Sequence, residues 1–412
     1  HHRRRRLAMP RVFFFFFLAL FNIARAQPSQ SSPEQIPTKK KFIVTLKTQL
    51  DTFKKCKDAL ESNDKTQNRY RCRKIFRSGF STYLDAVDVD DLIANDADVL
   101  DVEEDFKVYK NAVPWHLDRL DQTLLPLDNY EPAFRKDKTR PNGKGVTVFI
   151  LDTGVNGKHV ELKGRVLNMV TALDPEEDDL ETLDPDGHGS FCASLVAGEN
   201  IGLAPEAKIV SVRVLNSEGA GSVSDVVAGL EWTTDQILAS SGKIRAVALL
   251  ALGAPSGVRS RALENAVDRF TRETNALLIT AAGNQNEDAC KSTPAKSERA
   301  FTVAATDERD SNYEWNNMGR CVDAFAPGVR LVGACVGNNR CVQNDSGSAY
   351  GYQSGTSMAA AIAAGAAARV LSENPDYGAE EVKGWLIKNS TKGIVRIPEF
   401  ALATSNRLLR VF

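Results

Sequence analysis

The sequence lacks a charge bias, and it lacks a segment long enough to cross a membrane. Its 412 residues carry 52 Lys and Arg against 53 Asp and Glu, for a formal net charge of -1. A chain without excess positive charge has no overall field that attracts nucleic acid or an anionic membrane. The apolar run at residues 12–20 is shorter than the roughly 20 residues that a spanning helix needs. We therefore expect neither nucleic acid nor a membrane as a partner.

A glycine-rich phosphate-binding turn is also missing after the first strand of the main α/β region. Residues 146–151 are apolar and predict a buried strand, and the chain then continues with Asp152-Thr153-Gly154. A dinucleotide-binding domain carries several glycines at this point, because its backbone must approach the pyrophosphate closely. The sequence therefore excludes a dinucleotide-binding enzyme.

The first 26 residues predict export. A His and Arg run precedes Met9, and an arginine, an apolar core with five consecutive Phe, and Ala-Arg-Ala then lead to Gln27. This pattern is typical of a secretory signal peptide. Residues 27–38 are rich in Pro, Ser and Gln and predict a disordered linker. We therefore expect a secreted, extracellular product, with glycosylation sequons at Asn344 and Asn389.

The odd number of cysteines leaves one thiol unpaired. Disulfides persist outside the cell, so an exported chain with seven cysteines is expected to use six of them in pairs. We expect Cys192 to stay free, as a small buried core residue rather than a redox switch. The expected pairs are Cys56 with Cys72, Cys290 with Cys321, and Cys335 with Cys341.

Two regions of different pattern follow the linker. Residues 39–111 show a β-α-β-β-α-β pattern, which predicts a small α+β, ferredoxin-like domain near the lower size limit of independent stability. From residue 146 onwards, short apolar strands alternate with helical patterns. This alternation predicts an α/β fold with a parallel sheet, whose ligand site lies at the carboxyl ends of the strands.

Four polar residues lie where predicted strands end or helices begin. Asp152 follows the first strand, His188 begins a helix of small residues, and Asn284 follows another apolar strand. Ser357 begins a run of Ala that has no polar face, which predicts a helix buried on all sides. The sequence therefore brings four functional groups to one edge of the sheet.

Each of the four residues alone has an ordinary explanation as a turn or capping residue, and Ser357 is open to that interpretation. Together they follow the order Asp, His, Ser, one of the orders in which the catalytic triad occurs. His188 would take the proton of Ser357, and Asp152 would hold the imidazole. Asn284 and the N–H of Ser357 would bind the oxyanion.

The motifs around these residues resemble the signature blocks of subtilisin-like serine proteases, the subtilase family. The flanking sequence is most similar to the proteinase K-like branch, and the surroundings of Cys290 and Cys321 resemble the convertase that binds the low-density-lipoprotein receptor. The blocks are Asp-Thr-Gly at 152–154, His-Gly at 188–189, Ala-Ala-Gly-Asn at 281–284 and Gly-Thr-Ser-Met-Ala at 355–359.

The resemblance implies a three-layer subtilisin-like peptidase domain at residues 112–412, preceded by an inhibitor-type propeptide at residues 39–111. Self-cleavage is expected between Asn111 and Ala112. A serine endopeptidase of this kind takes proteins and peptides as substrates and its own propeptide as an intramolecular inhibitor. We expect a monomer with no required cofactor. No module follows residues 406–409, where minimal family members also end, so a dibasic-processing role is not expected.

The same resemblance places the substrate as an added strand between two backbone edges. These edges and the glycine before Asn284 comprise Gly219, Ala220, Gly221, Leu250, Ala251, Leu252, Gly253 and Gly283.

A structural calcium site is also implied by the resemblance, formed by the Asp323 carboxylate with the backbone carbonyls of Glu298 and Ala300. One carboxylate is a weak donor set for a hard cation, which prefers several charged oxygens. A solvated or ion-paired Asp323 is therefore an equally open interpretation.

A function of a different class is also open. The chain would cleave only its own propeptide and then act as a binding or regulatory protein. Ala254 stands where the substrate strand normally has a glycine, and its methyl group lies where peptide backbone should approach. The similarity of the surroundings of Cys290 and Cys321 to the receptor-binding convertase also favours a binding function.

Overall fold

The structure is a computed structural model that describes residues 40–47, 72–76, 79–84, 89, 92, 94–104, 113–137, 139–174, 182–254, 257–336, 342–343, 349–401 and 403–412. By its internal contacts the chain divides into two compact units, His1–Tyr109 and Lys110–Phe412. Among the residues described, no helix is long and apolar enough to cross a membrane. The predicted signal peptide and linker lie outside these residues.

The first unit contains an antiparallel sheet of four strands in the order β2-β3-β1-β4. Their bounds are β1 (Lys40–Leu46), β2 (Lys74–Phe76), β3 (Gly79–Leu84) and β4 (Val99–Glu104). Val44, Phe80 and Leu84 form the centre of its small core. The helix predicted at residues 50–60 lies outside the described residues, and the one at 90–95 is described only in part.

The second unit is built on a sheet of nine strands in the order β15-β16-β11-β10-β9-β8-β5-β7-β6. All neighbours are parallel except β15 and β16. The strands are β5 (Val146–Asp152), β6 (Val166–Thr171), β7 (Lys208–Arg213), β8 (Arg245–Leu250), β9 (Leu277–Ala281), β10 (Ala300–Thr306), β11 (Ala324–Pro327), β15 (Thr391–Lys392) and β16 (Arg407–Leu408). A separate antiparallel sheet pairs β14 (Ala349–Gln353) with β12 (Leu331–Cys335) and β13 (Val342–Gln343).

Helices cover both faces of the large sheet, because successive side chains of a strand point to opposite faces. On β5, Val148 and Ile150 belong to one core and Phe149 and Leu151 to the other. The helices are α1 (Trp115–Asp121), α2 (Ala133–Lys136), α3 (His188–Ala197), α4 (Val223–Ala239), α5 (Arg261–Thr274), α6 (Thr356–Glu373) and α7 (Ala379–Asn389). The first core contains residues of α3, α6 and α7, and the second contains residues of α4 and α5. The result is the predicted three-layer α/β domain.

The alanine-rich helix α6 is buried along most of its length, as its missing polar face predicts. Small side chains let it approach its neighbours closely. A Cβ added at Gly365 would lie 2.8 Å from the Cβ of Leu203 and 3.2 Å from the carbonyl oxygen of Val196 on α3. The helix that carries Ser357 is therefore fixed at the centre of the domain.

Candidate active site

Asp152 and His188 form a hydrogen-bonded pair at the carboxyl end of β5. The Nδ1–H of His188 donates to both carboxylate oxygens of Asp152, at 2.8 and 3.0 Å. The Asp152 side chain is fully buried, whereas that of His188 is 26% exposed. Because Nδ1 carries the proton, the other ring nitrogen, Nε2, keeps its lone pair and remains available as a base.

The charge of Asp152 controls the ionisation of His188. Burial by itself lowers the pKa of His188, but the charge and hydrogen bond of Asp152 together with the contact to Cys192 outweigh it, and the net pKa lies well above the ordinary 6.5. An imidazolium next to Asp152 is therefore a stable species, as a group that accepts a proton during a reaction requires.

Asp184 holds the turn that presents His188. Its carboxylate is 3% exposed and accepts hydrogen bonds from the backbone N–H groups of Gly187 and Ser190 and from the hydroxyl of Thr153, each at 2.8 Å. These bonds tie the loop after β5 to the first turn of α3. Burial raises the pKa of Asp184. The sequence analysis did not predict a role for Asp184. The pattern that could have indicated one is an acidic residue four positions before the histidine.

Ser357 lies in the first turn of α6, where the helix N-terminus presents free N–H groups. Its hydroxyl donates to the carbonyl oxygen of Ala251 at 2.8 Å. A serine hydroxyl has one proton and donates it to one acceptor at a time. The hydroxyl must therefore turn from Ala251 towards His188 before it can lose its proton there.

Asn284 is oriented by Thr356. Its side-chain oxygen accepts from the backbone N–H of Thr356 at 3.0 Å and from the hydroxyl of Thr356 at 3.1 Å. That hydroxyl also accepts from the N–H of Gly283, at 3.1 Å. With its oxygen held in this way, Asn284 keeps the Nδ2 amide as the group that can donate to a ligand.

Gly283 has a left-handed backbone, with φ of 102°, and a Cβ there would lie 2.3 Å from Nδ2 of Asn317. Only glycine is comfortable in this conformation and in this space. The turn that carries Asn284 therefore depends on it.

Two cavities meet at the segment of residues 251–254, which lines both of them. One, of about 560 Å³, lies beside His188 and is lined by aliphatic side chains that include Leu215, Val226 and Leu263. The other, of about 160 Å³, contains Asn284 and Ser357 in its lining. His188 and Ser357 therefore lie along one groove.

Most of the predicted substrate-binding residues line these cavities. Gly219, Ala220 and Gly221 line the larger one, Gly283 lines the smaller one, and residues 251–253 line both. Leu250 is different, because it is the last residue of β8 and is fully buried in the second core. Its side chain belongs to the sheet and not to the groove.

Cys192 is a free, buried thiol one helical turn after His188. Its sulfur lies 4.0 Å from Nε2 of His188, and with Asp152 these groups are close enough to enclose a metal ion. Burial raises the pKa of the thiol, so it stays protonated and is a poor metal ligand. The position fits the small core residue expected from the sequence.

One of the three predicted cysteine pairs lies entirely within the described residues. Cys290 and Cys321 are joined by a disulfide, with their Cα atoms 5.3 Å apart. Cys72 and Cys335 are each disulfide-bonded. Their predicted partners and the predicted cleavage bond, namely Cys56, Cys341, Asn111 and Ala112, lie outside the described residues.

The three residues predicted to bind calcium do come together, around the side chain of Lys383. Its ammonium group is 3.0 Å from the carbonyl oxygen of Glu298 and 2.7 Å from that of Ala300. Both carboxylate oxygens of Asp323 lie 3.2 Å from it. As they stand, these residues do not fit calcium, because a side-chain cation takes the position among the oxygens.

Comparison with known proteins identifies the family of the second unit. The sequence profile of the subtilase family matches residues 143–406, a range that contains all four residues of the predicted triad and oxyanion site. Alkaline serine exoprotease A of Vibrio alginolyticus is 37% identical over 286 residues, which are 69% of this chain and 48% of that protein. The chain thus spans about half the length of this relative.

A solved structure is also similar. The crystal structure of a cold-adapted subtilisin-like serine proteinase aligns with a TM-score of 0.61 at 35% identity, covering 73% of this chain and 98% of the other. The fold is therefore subtilisin-like.

Proposed function

The chain belongs to the subtilase family, and from that premise we propose that it is a secreted serine endopeptidase with Asp152, His188 and Ser357 as its triad. The observation that carries the proposal is the double hydrogen bond between His188 and Asp152, at 2.8 and 3.0 Å, in the groove that contains Ser357. A buried carboxylate that is paired with Nδ1 of an imidazole stabilises the imidazolium and so makes Nε2 a stronger base.

The reaction proceeds in two halves. Ser357 Oγ attacks the carbonyl carbon of the scissile peptide bond and passes its proton to Nε2 of His188, while Asp152 stabilises the imidazolium. The new oxyanion accepts hydrogen bonds from Nδ2 of Asn284 and from the N–H of Ser357. The C–N bond then breaks, and the leaving amine takes the proton from His188. Water repeats the sequence on the acyl-enzyme and releases the acid product.

The two cavities suggest which side chains the groove accepts. Substrate backbone would pair with residues 219–221 and 251–253, which supplies affinity for any sequence. The larger cavity, lined by aliphatic residues beside His188, favours an apolar side chain on the acyl side of the scissile bond. The smaller cavity beside Ser357 favours a smaller residue.

We also propose that the enzyme is made as a self-processing zymogen of the proteinase K-like branch. The first unit, with its four-stranded antiparallel sheet, would be the propeptide, and Asn111–Ala112 would be the bond that is cut. The division of the chain between residues 109 and 110 supports this boundary.

A second function has specific support. The Ser357 hydroxyl is hydrogen-bonded to Ala251, a backbone acceptor on the proposed substrate strand, and the next residues of that strand end in Ala254. A foreign substrate must displace the first contact and fit past the second. A chain that cuts only its own propeptide, and then serves as a binding protein, is compatible with both features.

One experiment separates the two functions. The full chain and its Ser357→Ala variant are expressed for secretion, their fragments are weighed by mass spectrometry, and a casein or peptide substrate is added. The peptidase reading predicts a cut near residue 111 and turnover of the added substrate by the wild type only. A Ser354→Ala variant, which loses a hydroxyl that accepts from the N–H of Arg330, serves as the matched control and should retain both activities. Cleavage without turnover, with the fragment still bound, favours the binding protein.

A further inference from the structure

We propose that the ammonium group of Lys383 is the resident cation of the oxygen cluster at the start of β10 and β11, and that it replaces a bound metal ion there. The cluster consists of the carbonyl oxygens of Glu298 and Ala300 and the carboxylate of Asp323. It lies where the sequence predicts calcium. The structure instead supplies the positive charge from a side chain of helix α7.

The oxygens are arranged by the sheet and not by the lysine. Ala300 is the first residue of β10 and Glu298 lies two residues before it, and Asp323 directly precedes β11, the parallel neighbour of β10. The N–H of Thr302 donates to the Asp323 carboxylate at 2.9 Å, and the N–H of Asp323 donates to the carbonyl oxygen of Thr302 at 2.9 Å. The pairing with Thr302 holds Asp323 beside the start of β10 independently of Lys383, and the three oxygen-bearing groups repel one another without a cation between them.

The number of N–H donors on Lys383 matches the number of acceptor groups in the cluster. An ammonium group carries three N–H donors, and the cluster offers one acceptor group to each of them, at 2.7 to 3.2 Å. All three lengths lie within the ordinary range for N–H···O hydrogen bonds, with the contact to Asp323 at its long end. The side chain of Lys383 is 14% exposed and that of Asp323 is 22% exposed, so water screens the contact only in part.

Calcium suits the same cluster less well. It takes roughly six to eight oxygens at about 2.3 to 2.6 Å, several of them charged. Glu298, Ala300 and both oxygens of Asp323 supply four with a single carboxylate, so water would have to provide the rest. A tethered ammonium also remains at its site at any metal concentration. Helix α7 holds it there, because Val382 and Leu386 pack into the core on either side of Lys383 in the sequence. This part of the domain should therefore be stable without calcium.

The test measures thermal unfolding of the full chain carrying Ser357→Ala, which prevents self-digestion. Tm is recorded with excess EDTA for this protein and for the added substitutions Lys383→Met and Lys388→Met. Lys388 is an exposed lysine on the same helix and is the matched control. We expect Lys383→Met to lower Tm by at least about 5 °C, because it removes the ammonium counter-charge of Asp323 and the donor that the two carbonyl oxygens share. Lys388→Met should change Tm by about 2 °C or less.

Calcium provides the second readout. The rise in Tm from EDTA to millimolar calcium chloride is compared between the Ser357→Ala protein and the same protein with Asp323→Asn. If Lys383 is the resident cation, calcium has the same effect on both, since any calcium bound elsewhere acts on both alike. A calcium-dependent rise that Asp323→Asn abolishes would show that the metal occupies the cluster. An equal loss of Tm in the two lysine variants would also overturn the proposal.

Discussion

The buried carboxylate of Asp184 gives the sharpest test of how His188 is held. Asp184→Asn is nearly isosteric and removes the charge. The carboxylate accepts from Gly187, Ser190 and Thr153, each at 2.8 Å. An amide has one acceptor oxygen, so in either orientation its NH₂ group faces at least one of these donors.

The magnitude follows from those contacts. At least one hydrogen bond to a charged group is lost and one buried donor is left unsatisfied, which costs roughly 1.5 to 3 kcal/mol. Part of this is offset, because burial already penalises the charge of Asp184, as its raised pKa shows. A net loss of about 2 kcal/mol corresponds to a fall in Tm of roughly 4 to 8 °C. A small displacement of His188 should also lower kcat by about 10- to 100-fold with KM unchanged.

Thermal unfolding is measured in the Ser357→Ala background, and peptide turnover is measured with Ser357 intact. Asp235→Asn, at an exposed position on α4, is the matched control and should change neither quantity. A lower Tm with unchanged kcat would refute the positioning role. An unchanged Tm would refute the hydrogen-bond network itself.

Three further predictions concern the reacting groups. His188 acts as a base when neutral, and its pKa lies well above 6.5 because Asp152 and Cys192 outweigh the effect of burial. We therefore expect kcat/KM to rise with pH through an ionisation above the ordinary histidine pKa. A profile that is already flat at pH 6.5 contradicts this. Asn284→Ala should lower kcat by roughly 100- to 1,000-fold in steady-state assays, which is the loss known for one such donor in a bacterial subtilisin. A change confined to KM would show that Asn284 does not bind the oxyanion. Thr356→Val removes the hydroxyl that contacts Asn284 and Gly283 and should lower kcat by about 10-fold. Thr356→Ser keeps a hydroxyl and should recover the activity. A serine variant as slow as the valine variant would show that the hydroxyl does not position Asn284.

The sequence was sufficient where a local pattern fixes a long-range arrangement. The apolar strand before Asp152 and the apolar helix after Ser357 can pack only inside the domain, and parallel strands bring their carboxyl ends to one edge. The three-layer fold and the contact between Asp152 and His188 follow from that rule. The resemblance to the family also predicted correctly that Glu298, Ala300 and Asp323 lie together.

Other features depend on geometry that the sequence does not carry. Asp184 acts through backbone N–H groups, whose directions are set by the turn before α3. Lys383 is 60 residues from Asp323 and reaches it only because α7 packs into the first core beside the sheet. Leu250 was assigned to a substrate-pairing backbone edge by resemblance to the family, and only the alternation along β8 shows that its side chain lies in the core.

The central claim, that Ser357 is a nucleophile activated by His188, is tested most directly by covalent labelling. The purified full chain is treated with a fluorophosphonate, digested and analysed by mass spectrometry, beside the Asp152→Asn and Ser354→Ala variants. We predict that the label is found on Ser357, that labelling is at least about 100-fold slower in Asp152→Asn, and that Ser354→Ala is labelled at the wild-type rate. An unlabelled Ser357 in wild-type protein that has released its residue 39–111 fragment, or equal rates with and without the Asp152 carboxylate, would contradict the account.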